Sequence, residues 1–293
     1  MTFPRRLTAA WLAPLMLGVH PGCADGEHDD HDHDHDHEPV AVQIAFDAVV
    51  GDAPAACGAG YIVGVGGEEA ELADARLFVS SVELRVDGGW VPLTLDESAW
   101  QHEGVVLLDF EDGTAACADS GTPELNAQIT GQVASGVIDG VRFDIGVPFA
   151  LNHQDSAMAP APLNSPGMFW TWQGGYKFVR VDWAVDGADR WNIHVGSTGC
   201  VSAAPTVAPA EACTQPNLSR VTLDVDPTVG PLTLDLGALV EGADLVANTL
   251  DTPPGCMSSP TEPDDCGPVF DALGLDFATG ACTADCADQV WVR

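Results

Sequence analysis

Three histidines carry most of the chemical potential of this chain outside its N-terminal region: His102, His153 and His194. Neutral imidazole is a good ligand for copper or zinc. His153 closes the run Phe149-Ala150-Leu151-Asn152-His153, just past an expected strand, and His194 lies in Trp191-Asn192-Ile193-His194-Val195-Gly196-Ser197. His102 follows Trp100 by two residues, which puts both side chains on one face of a strand. Histidines this far apart can converge on one ion from neighbouring loops, but spacing alone does not bring them together. A buried, hydrogen-bonded role is the commoner one for each. Residues 97–103 also read as a polar surface loop on which His102 is a bystander.

The densest aromatic feature is Gly167-Met168-Phe169-Trp170-Thr171-Trp172-Gln173-Gly174-Gly175-Tyr176-Lys177-Phe178. In an extended segment Trp170 and Trp172 point the same way. They either pack an aromatic layer of the core or stand beside a metal as redox-active side chains. Intact indole is a poor ligand because its nitrogen lone pair belongs to the ring. A ring-opened indole would offer an aromatic amine and a carbonyl. Lys177, the only lysine, reads as the partner of a carboxylate rather than as a Schiff-base nucleophile. Asp109-Phe110-Glu111-Asp112-Gly113 reads as an acidic turn before it reads as a calcium site. The chain has no Gly-x-Ser-x-Gly, phosphate loop, His-Glu-x-x-His or haem-attachment motif. A pair of carboxylates acting as in a glycosidase stays open.

The remaining six histidines lie before residue 38. Residues 23–39 read as a disordered tether in which His28, His31, His33, His35 and His37 alternate with acids. Such a tract buries no apolar area and collects zinc, copper or nickel with loose geometry. The plain alternative is a polar spacer with incidental metal affinity.

Ahead of it, residues 1–22 look like an export signal: Arg5 and Arg6, then an apolar run from Leu7 to Val19, too short to span a bilayer as a mature helix. Cleavage before Cys23, with Gly22 preceding it, would give a lipid-anchored protein. His20 is unusual for such a signal, and ordinary cleavage near Ala24 is the alternative. Cysteine parity favours the anchor. Of nine cysteines, setting Cys23 aside leaves Cys57, Cys117, Cys200, Cys213, Cys256, Cys266, Cys282 and Cys286, enough for four disulfides in an oxidising compartment. The expected location is the periplasm or the bacterial cell surface.

The formal charge is -34, from 10 basic and 44 acidic residues. A nucleic-acid backbone binder needs a basic surface, so that class is excluded. Only eight of the acids fall in residues 25–38, so acidity also belongs to the folded part, where it favours cationic ligands or a basic partner face.

Short strands must position these residues. Alternating or apolar runs appear at 40–46, 72–87, 90–95, 105–110, 140–147, 176–183, 220–225 and 231–236, with Gly and Pro clustered between them. No long stretch carries a 3.6-residue period. The expectation is an all-β, disulfide-crosslinked antiparallel sandwich or barrel-like sandwich over residues 40–245. Residues 246–293 read as a Cys-rich extension packed on that domain.

Several strings then stand together: Leu107-Leu108-Asp109-Phe110-Glu111-Asp112, Cys117, Gly121-Thr122-Pro123-Glu124-Leu125-Asn126, Gly146-Val147-Pro148-Phe149, Leu151-Asn152-His153, the Met168–Phe178 run, and His194-Val195-Gly196-Ser197-Thr198-Gly199-Cys200 with Cys213. The set resembles the MbnP-like family, also called metallo-mystery pair four-Cys proteins, over most of residues 40–240. The resemblance implies an exported copper-binding protein, not an enzyme, made with an MbnH-like partner of the dihaem cytochrome c peroxidase class. That partner would oxidise one tryptophan to kynurenine. It implies two disulfides among Cys57, Cys117, Cys200 and Cys213, with pairing undecided, and two more among the last four cysteines. It makes His153 and His194 the leading copper ligands, and Trp172, then Trp170 and Trp100, the tryptophans to be modified; His102 is a candidate third ligand from its own strand position, and without it two imidazoles plus kynurenine or water hold the copper. Such a site suits Cu(I), or Cu(II) when water completes it. A surface lipoprotein that binds protein or polysaccharide through its tryptophans is the competing reading.

Overall fold

The computed structural model describes residues 38–293 apart from Ser120 and Asp189. The export signal, Cys23 and the histidine tether lie outside the described residues. The main elements are β1 (Pro39–Val50), β2 (Glu68–Val86), β3 (Val105–Asp109), β4 (Gln128–Ala134) and β5 (Ile138–Ile145). A helical turn α1 (Phe149–Asn152) and a small hairpin, β6 (Phe169–Thr171) and β7 (Gly175–Tyr176), follow. Then come β8 (Val179–Val185), β9 (Trp191–Val195), β10 (Ser219–Leu223), β11 (Leu232–Asp235), β12 (Gly255–Cys256) and the helix α2 (Pro263–Ala272).

Two sheets form a sandwich. The smaller runs β11-β1-β4 and ends on a two-residue strand at Thr94–Leu95; the larger runs β10-β5-β2-β8-β9-β12, with β3 also paired to β2. Their facing sides make one core, in which Ile44, Phe46, Ile129 and Leu234 meet Leu77, Val79, Phe143, Val181 and Trp183. Phe46 and Phe143 touch edge to face across the layers at 6.0 Å. The fully buried tryptophans are Trp183, Trp191 and Trp291, so the core's own aromatic layer does not involve Trp170 or Trp172.

The 19-residue β2 is the spine. It ends in a tight hairpin whose central residues Asp87 and Gly88 have φ of 50° and 83°, the left-handed pair that a two-residue turn between twisted strands requires. Two pairings depart from the antiparallel expectation: β1–β11 and β9–β12 are parallel. Each joins strands far apart in the chain, where a long crossover is free to return the strand in either direction.

The C-terminal segment does more than wrap the sandwich. Phe270, Leu273, Trp291 and Val292 enter the main core. The sequence reading finds no helix there, yet α2 forms, with Pro263 at its first turn and Asp264 and Asp265 beside its N-terminus. Proline fits that position and acids complement the helix dipole. Among the described residues no helix is long and apolar enough to cross a membrane. The eight cysteines pair as Cys57–Cys117, Cys200–Cys213, Cys256–Cys266 and Cys282–Cys286.

Candidate metal centre

The outer face of the large sheet holds the site. Alternation along β2 sends Ala75 and Leu77 into the core and Asp74, Arg76 and Phe78 outward. β8 likewise sends Arg180 and Asp182 outward, and β9 sends His194. Such a strand face normally meets water. Here the chain from 146 to 178 folds back over part of it, and Phe78, Leu107, Met168, Tyr176 and Phe178 form a second apolar cluster beneath that cover.

Burial forces the charged residues to satisfy one another. Arg76 makes a two-pronged pair with Asp74. Arg180 bonds Asp182 through Nε and Nη2 at 3.0 and 2.9 Å, and its Nε lies 3.1 Å from Asp74. Arg76 reaches Glu111 at 3.7 Å. Lys177 Nζ and Arg180 Nη1 both donate to the carbonyl of Gly167, at 2.8 and 3.2 Å. A Cβ on Gly167 would stand 3.1–3.4 Å from the two guanidiniums. The aromatic hairpin therefore starts from a backbone seated on buried arginines. Burial, reinforced by Glu111, pushes the Asp109 carboxyl up to about 7. Burial, helped by Arg180, pulls Lys177 down to about 8.

His194 belongs to this network. Its Nε2 lies 2.8 Å from Asp182 Oδ1. A carboxylate only accepts, so Nε2 carries the proton and Nδ1 keeps a lone pair. This is how a carboxylate orients an imidazole for a metal. Burial lowers the pKa of His194, which Asp182 partly offsets. Burial pushes Asp182 up, but the His194 hydrogen bond and Arg180 hold it below the usual carboxylate range.

His153 sits just past α1, against Phe149 and the Cys200–Cys213 disulfide. Its Nδ1 lies 3.0 Å from the carbonyl of Trp172. The carbonyl also only accepts, so Nδ1 carries the proton and Nε2 is the acceptor: the Asn152 amide donates to it at 3.3 Å, and Cys213 Sγ stands 3.5 Å away. Burial lowers its pKa. Asn152 ties this corner together. It donates to Ser197 Oγ at 2.7 Å and accepts the N–H of Tyr176 at 2.8 Å. Gly175, at φ 76°, presses on it so closely that a Cβ there would lie 2.5 Å from the carboxamide.

The aromatic hairpin touches His153 and the end of β9. The Trp172 carbonyl holds His153, and the Trp170 ring covers Gly196, two residues beyond His194. Trp172 is 37% exposed. Trp170 lines a cleft of about 500 Å³ with Ser197, Cys200, Pro253 and Met257.

His102 lies elsewhere. Its Nδ1 contacts Glu97 at 2.5 Å and Nε2 stands 3.9 Å from Glu103. Trp100 packs against the second apolar cluster. Among the described residues, two groups bring three potential ligand atoms together: His153 with Cys200 and Cys213, and Glu111 with Cys57 and Cys117. In both, the sulfurs belong to closed disulfides, which are weak donors compared with thiolates. Neither group contains His194 or His102.

The sequence reading missed Asn152 and Asp182. Asn152 precedes a flagged histidine, and an asparagine beside an inward imidazole was its only signal.

A family model described as MbnP matches residues 39–258. The chain belongs to the MbnP family. A solved structure, MbnP from Methylosinus trichosporium, is 33% identical, with a TM-score of 0.74 over 86% of this chain and 94% of that one. No curated protein matches the sequence.

Proposed function

We propose that this MbnP-family chain is an exported copper-binding protein, held at the periplasm or cell surface through Cys23, that acts in copper acquisition or handling rather than in turnover. His153 and His194 hold the copper. A partner of the MbnH-like, dihaem peroxidase class opens the indole of Trp172, or of Trp170, to kynurenine with peroxide as the oxidant: two oxygens add across the ring double bond to give N-formylkynurenine, and water then releases the former C2 carbon as formate, exposing an aromatic amine and a carbonyl as further donors. Tether histidines 28, 31, 33, 35 and 37 gather metal near the membrane.

The observation that carries this reading is the fixed tautomer of both imidazoles. Two acceptor-only groups, the Asp182 carboxylate and the Trp172 carbonyl, take one N–H each; this leaves a lone pair on His194 Nδ1 and one on His153 Nε2, the latter accepting from the Asn152 amide at 3.3 Å until a metal displaces it. Neutral imidazole nitrogens with oriented second shells fit copper. Trp172 is favoured for modification because it combines exposure with direct attachment to His153.

The test uses the full mature chain with its five tether histidines changed to asparagine, made with and without the dihaem partner. Copper should bind at one equivalent and be lost in His153→Gln and His194→Gln. Intact mass and peptide mapping should place kynurenine on Trp172 or Trp170 only when the partner is present. A folded chain that takes no copper and shows no mass change supports the protein- or polysaccharide-binding reading instead.

A further inference from the structure

Of the four disulfides, Cys200–Cys213 is the one in which neither cysteine is buried. Cys117, Cys256, Cys266 and Cys286 are sealed, and each of the other three bridges contains at least one of them. Cys200 and Cys213 also belong to neither apolar cluster. Opening their bond therefore frees a surface loop and leaves the sandwich packed. Thiol–disulfide exchange needs access to one sulfur. Cys200 lines the open cleft beside Trp170. Cys213 lines a separate cavity of about 50 Å³ with Asn152 and Ser197, room enough for a water or an ion.

The backbone keeps the two sulfurs together once the bond is open. Thr198, two residues before Cys200, and Gln215, two residues after Cys213, form an antiparallel bridge with N–H to carbonyl bonds of 2.9 and 3.1 Å. Thr198 Oγ1 adds a bond to the Gln215 side chain at 2.9 Å. His153 already faces this pair. Its Nε2 stands 3.5 Å from Cys213 Sγ, and that nitrogen and both sulfurs lie within 4.8 Å of one another. Ser197 Oγ, 3.6 Å from Cys200 Sγ, is placed to donate to a thiolate there. Two thiolates and a neutral imidazole make a soft donor set, which selects Cu(I).

We propose that Cys200–Cys213 is a redox-switched metal site: an exported dithiol reductant opens it, and the two thiolates with His153 Nε2 then hold one Cu(I). The reductant's thiolate attacks Cys200 Sγ from the cleft, forming a mixed disulfide and expelling Cys213 as thiolate. The reductant's second thiol breaks that mixed disulfide and closes its own. Two electrons pass from the dithiol to the protein's sulfurs, and its two protons go to solvent when Cu(I) takes their place. The proposal deepens the copper reading at His153 and makes no use of His194.

The test uses the full mature chain with its five tether histidines changed to asparagine. Graded anaerobic dithiothreitol, then thiol alkylation and peptide mapping, should label Cys200 and Cys213 at least about tenfold faster than the other six bridged cysteines. The dithiol is then removed and one equivalent of Cu(I) added. Cu-edge X-ray absorption should show a two-sulfur shell with nitrogen in the reduced protein and no sulfur shell in the oxidised one. Reduced His153→Gln should bind Cu(I) at least about tenfold more weakly, and Cys200→Ser with Cys213→Ser should lack the sulfur shell. A different disulfide opening first, or reduced protein that takes no copper or only nitrogen-bound copper, overturns the proposal. Nitrogen-bound copper in the oxidised chain keeps the copper reading standing whichever way that falls. Sulfur-bound copper in the reduced chain, with none bound in the oxidised one, supports the proposal and overturns the two-histidine reading. The oxidised and reduced forms of the chain with both cysteines and His153 in place decide the matter even where a further variant fails to fold.

Discussion

Asp182 is the joint between the buried ion network and the proposed copper ligand His194, and Asp182→Asn tests both. The carboxylate accepts two hydrogen bonds from Arg180 and one from His194, with its side chain 2% exposed. Asparagine keeps one acceptor oxygen and puts an NH2 where the other stood. Whichever way it turns, a donor faces a donor, either at the guanidinium or at the imidazole. Arg180 keeps its contact with Asp74 and the Gly167 carbonyl, so the loss belongs at the lower end of the range for breaking a buried pair, about 3 kcal/mol. For a domain of this size that lowers Tm by about 10 °C. If the amide NH2 faces His194, Nδ1 takes the ring proton and its lone pair is lost, so copper affinity should fall about 10- to 100-fold. Guanidinium unfolding with the disulfides intact measures the first effect, and competition with a copper chelator measures the second. A stability loss below about 1 kcal/mol, with copper affinity unchanged, would refute the claim that Asp182 fixes His194.

Asp109→Asn should alter the pH dependence of stability in one direction. The folded carboxyl titrates near 7 against 3.8 as a free group, so the parent binds an extra proton when folded. It loses stability as pH rises from about 4 to about 7, and the asparagine variant does not. The stability difference, variant minus parent, should climb across that window in a series of denaturation curves. Gly175→Ala places a Cβ against Asn152 at a left-handed φ of 76°. It should cost about 1–3 kcal/mol and weaken copper binding through His153, read by chelator competition. Replacing Cys200 and Cys213 together by alanine opens a loop of 13 residues and should cost about 3 kcal/mol in guanidinium unfolding, with histidine NMR showing a freed His153.

Strand alternation made much of the sandwich readable. Val79, Val141, Phe143, Val181 and Ile193 fall on one side of their strands and line one core, as their spacing requires. The outer face was not readable for the same reason. Asp74, Arg76, Arg180 and Asp182 occupy positions that alternation assigns to water, and only the return of residues 146–178 buries some of them. The family resemblance flagged His153 and His194, but not what holds them. The Trp172 carbonyl comes to His153 through the closure of a loop, and Asp182 comes to His194 through the offset of two strands. Neither leaves a local pattern. α2 was missed although Cys266, Val269, Phe270 and Leu273 fall at helical spacing and enter the core, because Gly267 and Pro268 inside the segment read as helix breakers.

Without β12, the main-chain amides and carbonyls along the outer side of β9 would form an open sheet edge, the kind of template on which chains recruit one another into aggregates. Two residues, Gly255 and Cys256, close it. Truncation at residue 245 should thus yield insoluble material rather than a smaller soluble sandwich.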